Sequence, residues 1–497
     1  MQAVTMSISP LRRLTLACAG LLSALGHAIA QPQLAPDDAG FAISVEVEGF
    51  GDTVAYLANY FLDKQYIVDT AEVVDGRFTF EGDTLLPEGT YLVVLPPDNE
   101  FAQIHLDADQ RFALRSTADD LVGGMQVSGS AENELFYDYL EFLSSVRPSA
   151  DSLRAIRADS LAAEEEQAAA LDALTALDER VKARQQSIIS GHPNTLTAAL
   201  LRSQAELEFP DFEGTDAEVR EQKYRFYKRH YFDGIDLGDP RALRSPYLAQ
   251  RIDDYLEKLV VPHPDSISAE LDALLSAMRP APETFKFYTS KFLNDYAASN
   301  IVGMDAVYVH LGETYYMSGD AYWADSTTVA KIAENVAKAK PLLIGQPAPN
   351  LKISDRSGGT IDLAAVESPY TVLFFFDPEC SHCKKQTPVL LDFMRTYGER
   401  GVKAVSVCSK FAPDADDCWA YVDSKEGMEE LVLNGVDPYH RSKYKVKYDI
   451  FSYPQIFVLD AEKKILSKRI SAEQLPDVLD RLMEMDAREA DAAQEGR

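Results

Sequence analysis

Cysteine, tryptophan and positive charge are all scarce in this chain. Its 497 residues include five cysteines and two tryptophans, and 48 Lys and Arg face 79 Asp and Glu for a net charge of −31. So few cysteines exclude a small disulfide-stapled scaffold. The acidity argues against binding to nucleic acid or to anionic membrane surfaces. After residue 30 no apolar run approaches the roughly 20 residues of a membrane span, so no membrane insertion is expected. Metal-ligand spacing is also missing. His310 and Glu313 can share a helix face, but two ligands without a third make no site, and no metal is expected. The chain is long enough for two to four domains, each with its own core.

The first 30 residues read as a secretion signal. Arg12 and Arg13 precede an apolar stretch from Leu14 to Ala30, which closes on Ala28-Ile29-Ala30. A basic start, an apolar middle and a small-x-small end mark cleavage after Ala30 and export to the periplasm or cell envelope. Cys18 follows Thr15-Leu16-Ala17, a poor lipoprotein signal.

Two of the remaining cysteines lie in Cys380-Ser381-His382-Cys383, just after the apolar run Tyr370–Phe376. Val389, Leu390, Phe393, Met394 and Tyr397 then recur with helical spacing, which places both cysteines in a first turn. Unpaired N–H groups there favour thiolate over thiol, and two intervening residues let the second sulfur attack a mixed disulfide on the first. Pro388 falls inside that helix, Val402–Val407 adds a further strand, and Tyr453-Pro454 precedes the strand 455–459 as a candidate cis site. A Cys-X-X-Cys pair beside a βαβ unit is a thioredoxin-like signature.

With these motifs, and with Ile344-Gly345-Gln346-Pro347-Ala348-Pro349 and the hairpin Ser357-Gly358-Gly359, residues from about Ile344 to Leu482 resemble the thioredoxin-fold disulfide reductases of the TlpA/ResA type. The resemblance implies Cys380 as the exposed attacking cysteine and Cys383 as the buried resolving one. It implies Pro454, with Tyr453, at the peptide groove, protein or peptide thiols and disulfides as partners, and a membrane-embedded thiol carrier as electron donor. It implies no cofactor beyond the Cys380–Cys383 disulfide. The modules upstream resemble uncharacterised β-rich and helical modules that often precede this domain in exported proteins.

The chain departs from that pattern at three places. Glu379 stands where the family commonly has Trp, Phe374 where thioredoxins bury an Asp, and Gln386 where a Glu is frequent. The base that deprotonates Cys383 is therefore open among Asp377, Glu379 and water. His382 either stabilises the Cys380 thiolate or is merely solvated. Cys408 and Cys418 form a second disulfide, a relay to Cys383, or two independent thiols. Asp377 also occupies the position, three residues before the reactive cysteine, where a peroxiredoxin requires Thr.

Alternating Phe41, Ile43, Val45 and Val47, the turn Asp75-Gly76 and the run Tyr91–Leu95 predict an antiparallel β-sandwich over residues 31–128. Residues 129–340 read as an all-α domain. A helix capped by Ser149 carries Leu153, Ile156, Leu171, Leu174, Leu177 and Val181 and stops at Gly191-His192-Pro193. The aromatic stretch Tyr224–Phe232, interleaved with basic residues, is expected to be a core helix, with a peptide-binding surface left open. Ala339–Leu342 is expected to link to an α/β thioredoxin domain over 341–485, and residues 486–497 to form a flexible acidic tail. The function expected is an exported thiol–disulfide oxidoreductase that reduces protein disulfides. The alternatives are a disulfide oxidase or isomerase, or an envelope scaffold with an accessory redox domain.

Overall fold

A computed structural model describes residues 40–495. The expected signal peptide, residues 1–30 with Cys18, lies outside them. The chain divides into two compact units. One ends at Val260 and takes in Leu274–Phe285, and the other holds Val261–Ala273 and everything from Lys286.

The first unit opens with eight strands: β1 (Phe41–Glu48), β2 (Thr53–Phe61), β3 (Lys64–Val73), β4 (Arg77–Gly82), β5 (Gly89–Leu95), β6 (Glu100–Leu106), β7 (Arg111–Thr117) and β8 (Gln126–Ser128). They form two four-stranded sheets, ordered β4-β1-β7-β8 and β3-β2-β5-β6. The inward residues of β1, Ile43, Val45 and Val47, meet Leu57, Tyr91, Val93 and Ile104 in one core. The sandwich is not wholly antiparallel, because β1 and β7 run parallel. A parallel pair needs a long crossover, and the five intervening strands supply it. Asp75 and Gly76 do make a tight turn, with φ of +50° and +73°. Yet the strands they join, β3 and β4, enter different sheets. The turn is a corner between layers, and a Cβ at Gly76 would lie 2.4 Å from the Val47 carbonyl oxygen.

Helices follow: α1 (Ala131–Ala158), α2 (Glu164–Gly191), α3 (Leu196–Gln204), α4 (Asp216–Arg229) and α5 (Leu248–Lys258). Ser130, not Ser149, is the cap, accepting from the Asn133 amide at 3.2 Å. The helix then runs on through Pro148 and Ser149, and Leu171–Val181 belong to the separate α2. Ser149 before Asp151 has the residue type of a cap, but α1 carries Pro148 and Ser149 in its interior, where tertiary contacts outweigh the local cost of the proline. Buried Glu132 accepts from the amides of Leu196 and Thr197, both at 2.8 Å, and so caps α3. The expected core helix is corrected too, since no residue of α4 is fully buried.

Further helices are α6 (Pro264–Met278), α7 (Pro282–Ala297), α8 (Asp305–Leu311) and α9 (Ser326–Ala339). In the second unit His310 contacts Asp272 at 2.9 Å, while Glu313 pairs with Lys340. The two residues therefore turn to different partners. The expected linker is not loose. Leu342 is 2% exposed and packs with Leu351 and Ile353, and its carbonyl accepts from buried Lys468.

The redox domain is a seven-stranded sheet ordered β10-β9-β13-β12-β11-β14-β15. Its strands are β9 (Lys352–Ser354), β10 (Thr360–Asp362), β11 (Thr371–Phe376), β12 (Lys403–Cys408), β13 (Val432–Val436), β14 (Gln455–Leu459) and β15 (Ile465–Lys468). Helices α10 (Ser381–Tyr397), α11 (Asp416–Asp423), α12 (Met428–Leu431), α13 (Tyr444–Lys447) and α14 (Leu475–Glu495) complete it. Every residue of β11 is buried. Val372, Phe374 and Phe376 enter the core on the α10 side, and Leu373 and Phe375 the opposite core. Each such side chain contributes about 1.5–3 kcal/mol on burial, and continuous apolarity suits a strand covered on both faces. α14 continues to Glu495, into the segment expected as a flexible tail. The Ala- and Glu-rich sequence beyond Leu482 has high helix propensity and extends a helix already anchored by Leu475 and Leu479.

His105 on β6 is fully buried, its ring 4.6 Å from Phe136 of α1, and its amide donates to Asn133 Oδ1 at 2.8 Å. Burial, helped by Arg241, pulls its pKa down to about 3. The unfolded chain, with His near 6.5, takes up the proton first. This site's contribution is thus complete above about pH 6.5 and declines as pH falls toward 3, by at most about 1.4 kcal/mol per pH unit. Calorimetric melts of wild type and His105→Gln should converge over that range. Parallel pH profiles would refute the assignment.

Candidate active site

The redox pair is set where β11 runs into α10. Asp377-Pro378-Glu379 forms the break, and Cys380 is the N-cap of α10, its sulfur accepting from the Cys383 amide at 3.5 Å. The half-buried Cys380 thiol also donates to the Tyr453 carbonyl at 3.3 Å, and the Tyr453–Pro454 bond is cis. Cys383 is completely buried, and its sulfur accepts from the Asp377 amide at 3.4 Å. The two thiols are not bonded to each other. Burial pushes the Cys383 thiol up to about 12, against the relief given by the Asp377 amide. One sulfur is thus accessible at a helix N-terminus, and the other is withheld in apolar surroundings.

Asp377 anchors the neighbouring loop. Burial raises its carboxyl, but bonds from Ser409 Oγ and the Glu379 amide, with the charge of Lys410, hold it below the usual value. Lys410 pairs with Glu379 as well. Tyr453 bonds Tyr444 through their hydroxyls at 3.3 Å, and burial raises both phenols. Gln386 is drawn to Glu473 (2.6 Å) and the Ala472 amide (2.5 Å). His382 is exposed on the first turn. α10 passes through Pro388, whose missing N–H leaves the Lys384 carbonyl without its intrahelical donor. Phe374, in the place of a buried Asp, stacks on Phe376 at 5.6 Å and leaves no polar group under the pair there.

Cys408 and Cys418 are joined in a disulfide, and both are buried. Cys408 ends β12 opposite Phe376, and the next residue, Ser409, donates its amide to the Phe376 carbonyl at 2.8 Å. Cys418 lies on α11 three residues before Tyr421, whose hydroxyl reaches Thr387 Oγ1 at 2.8 Å and the Cys383 carbonyl at 3.3 Å. The cross-link therefore ties the loop behind Asp377 to the helix behind Cys383. Sequence reading missed Ser409, Lys410, Thr387, Tyr421 and Glu473. Only Thr387, one helical turn after Cys383, carried a usable spacing signal.

These features lead to two expectations. With the reduced protein near neutral pH, iodoacetamide followed by peptide mass spectrometry should label Cys380 and spare Cys383; equal labelling would contradict the buried thiol. Replacing Cys408 and Cys418 together by Ala should lower stability by roughly 2–3 kcal/mol, the loop-closure contribution of a short bridge. Denaturant titration measures it, and an unchanged midpoint would show that the bridge adds nothing.

Residues 344–468 match the AhpC/TSA family, and residues 41–136 and 210–340 match two domains of unknown function, DUF4369 and DUF5106. A thiol-disulfide oxidoreductase ResA of Bacillus cereus is 25% identical over 150 residues, which cover 29% of this chain and 82% of that one. The crystal structure of a domain of a possible thiol-disulfide isomerase from Cytophaga hutchinsonii is 32% identical, covering 30% of this chain and 98% of that chain with a TM-score of 0.28. A thioredoxin-like protein from Bacteroides caccae is 20% identical, covering 55% and 99% with a TM-score of 0.42. The redox domain, residues 344–468, is thus similar to the thioredoxin-fold thiol–disulfide oxidoreductases of the ResA type, and it follows two further modules in the sequence.

Proposed function

We propose that this protein is exported to the periplasm or cell envelope and there reduces protein disulfides through Cys380 and Cys383. The Cys380 thiolate attacks one sulfur of a client disulfide, and the other client sulfur leaves and takes a proton. Cys383 then attacks Cys380 Sγ, closing the Cys380–Cys383 disulfide and releasing the second client thiol. Two electrons pass from the pair to the client. A membrane-embedded thiol donor, of the kind its TlpA/ResA-type relatives imply, would restore the dithiol. Tyr453 and Pro454 border the Cys380 sulfur and offer backbone to a bound peptide.

The observation that carries the direction is the buried Cys383 thiol. A couple is oxidising when its reduced form is specially stabilised. Here burial disfavours one thiolate outright, and Lys410, a cation beside the pair, is engaged by Glu379 and Asp377. Asp377 is a poor proton acceptor for such a thiol. It is held low, and Glu379 is exposed and paired, so we assign the Cys383 proton to water. Equilibration in dithiol buffers should give a potential near that of thioredoxin, about −270 mV; a value of about −120 to −180 mV would make the protein an oxidase or isomerase. Cys383→Ser should accumulate a mixed disulfide with reducible clients and Cys380→Ser none. The reverse pattern would exchange the two roles.

A further inference from the structure

The first unit contains a cleft of about 720 Å³ that the redox chemistry does not use. Its walls are the ends of α2 and α3, the extended segment after α3, the end of α4 and one face of α5. Tyr227 of α4, with His230 and Tyr231 just after it, forms one of these walls. Phe209, 46% exposed, stacks on Tyr227 with centroids 6.3 Å apart, and Tyr227 meets Tyr231 edge-on at 5.4 Å. Flat apolar surface is thus held open to a cavity of small-ligand size.

The charges lining it are unevenly satisfied. Asp233 is bound by His230 at 2.6 Å, and Glu206 lies 3.5 Å from Lys182. Arg202 donates to the Pro193 carbonyl at 2.9 Å. Arg251 sits 4.5 Å over the Tyr231 ring, and its buried Nε has no hydrogen-bond acceptor among the described residues. Asp254, one turn further along α5, is bonded to Lys258 and Gln250, both at 2.8 Å. A guanidinium held against an aromatic face with an unmet buried donor is suited to a planar oxyanion. Because Glu206 and Asp233 offset Arg202 and Arg251 in the lining, no net positive charge gathers there, which favours a monoanion over a dianionic phosphate.

We propose that this cleft binds an organic carboxylate with an aromatic body, the carboxylate on Arg251 and the ring against Phe209 and Tyr227. The test is calorimetric titration of the full-length protein with N-acetyl-phenylalanine, N-acetyl-tyrosine and N-acetyl-tryptophan, each beside its uncharged amide. At least one acid should bind saturably, about tenfold or more tighter than its amide, and inorganic phosphate should not displace it. Arg251→Gln should reduce binding by a similar factor, with Arg251→Lys between. Tyr227→Leu should weaken acid and amide alike, which keeps the test alive should Arg251→Gln fail to fold. Equal affinity for acid and amide, displacement by phosphate, unchanged binding in Arg251→Gln or Tyr227→Leu, or no binding by any of the acids would overturn the proposal.

Discussion

Complete burial of β11 is the constraint on which the redox site depends. Its aromatic side chains fill the cores on both faces of the sheet, so the strand cannot slide without emptying one of them. That fixes the point at which the chain leaves the sheet, and with it the direction of the Asp377 amide toward Cys383. The first turn of α10 then presents Cys380 at its open end and withdraws Cys383 beneath it. The division of labour between two identical side chains comes from three residues of separation across the boundary of a core.

Around that point the fold adds second supports. The Cys408–Cys418 bridge, Ser409 on Asp377, and Tyr421 with Thr387 on the Cys383 carbonyl all reach the pair from β12 and α11. They hold the loop and helix that set the environment of the buried Cys383 thiol. In the first unit a similar economy appears, where His105, Asn133 and Glu132 join β6, α1 and α3 through buried polar bonds.

Much of the redox domain was legible because its signals are local. A buried strand, a cysteine at a helix start, a mid-helix proline and a proline before a strand each follow from a few adjacent residues. The misreadings upstream share one cause. Asp75-Gly76 specified its turn, but not that β3 and β4 would part into different sheets. Pro148 and Ser149 carry helix-boundary signals, yet α1 passes through them. The aromatic residues of α4 read as core, yet none is fully buried, and Tyr227 instead lines a cleft.

The sequence by itself determined the reactive pair, its place at a strand–helix junction and the acidic, cysteine-poor character of the chain, because each is written in neighbouring residues or in composition. Tertiary structure decided the parallel pairing of β1 with β7, the union of Cys408 with Cys418, the approach of Tyr421 and Ser409 to the pair, and the gathering of Arg251, Tyr227 and Phe209 around one cleft. Those facts join residues distant along the chain, and their pairing is chosen by the shape and packing of whole elements rather than by any local preference.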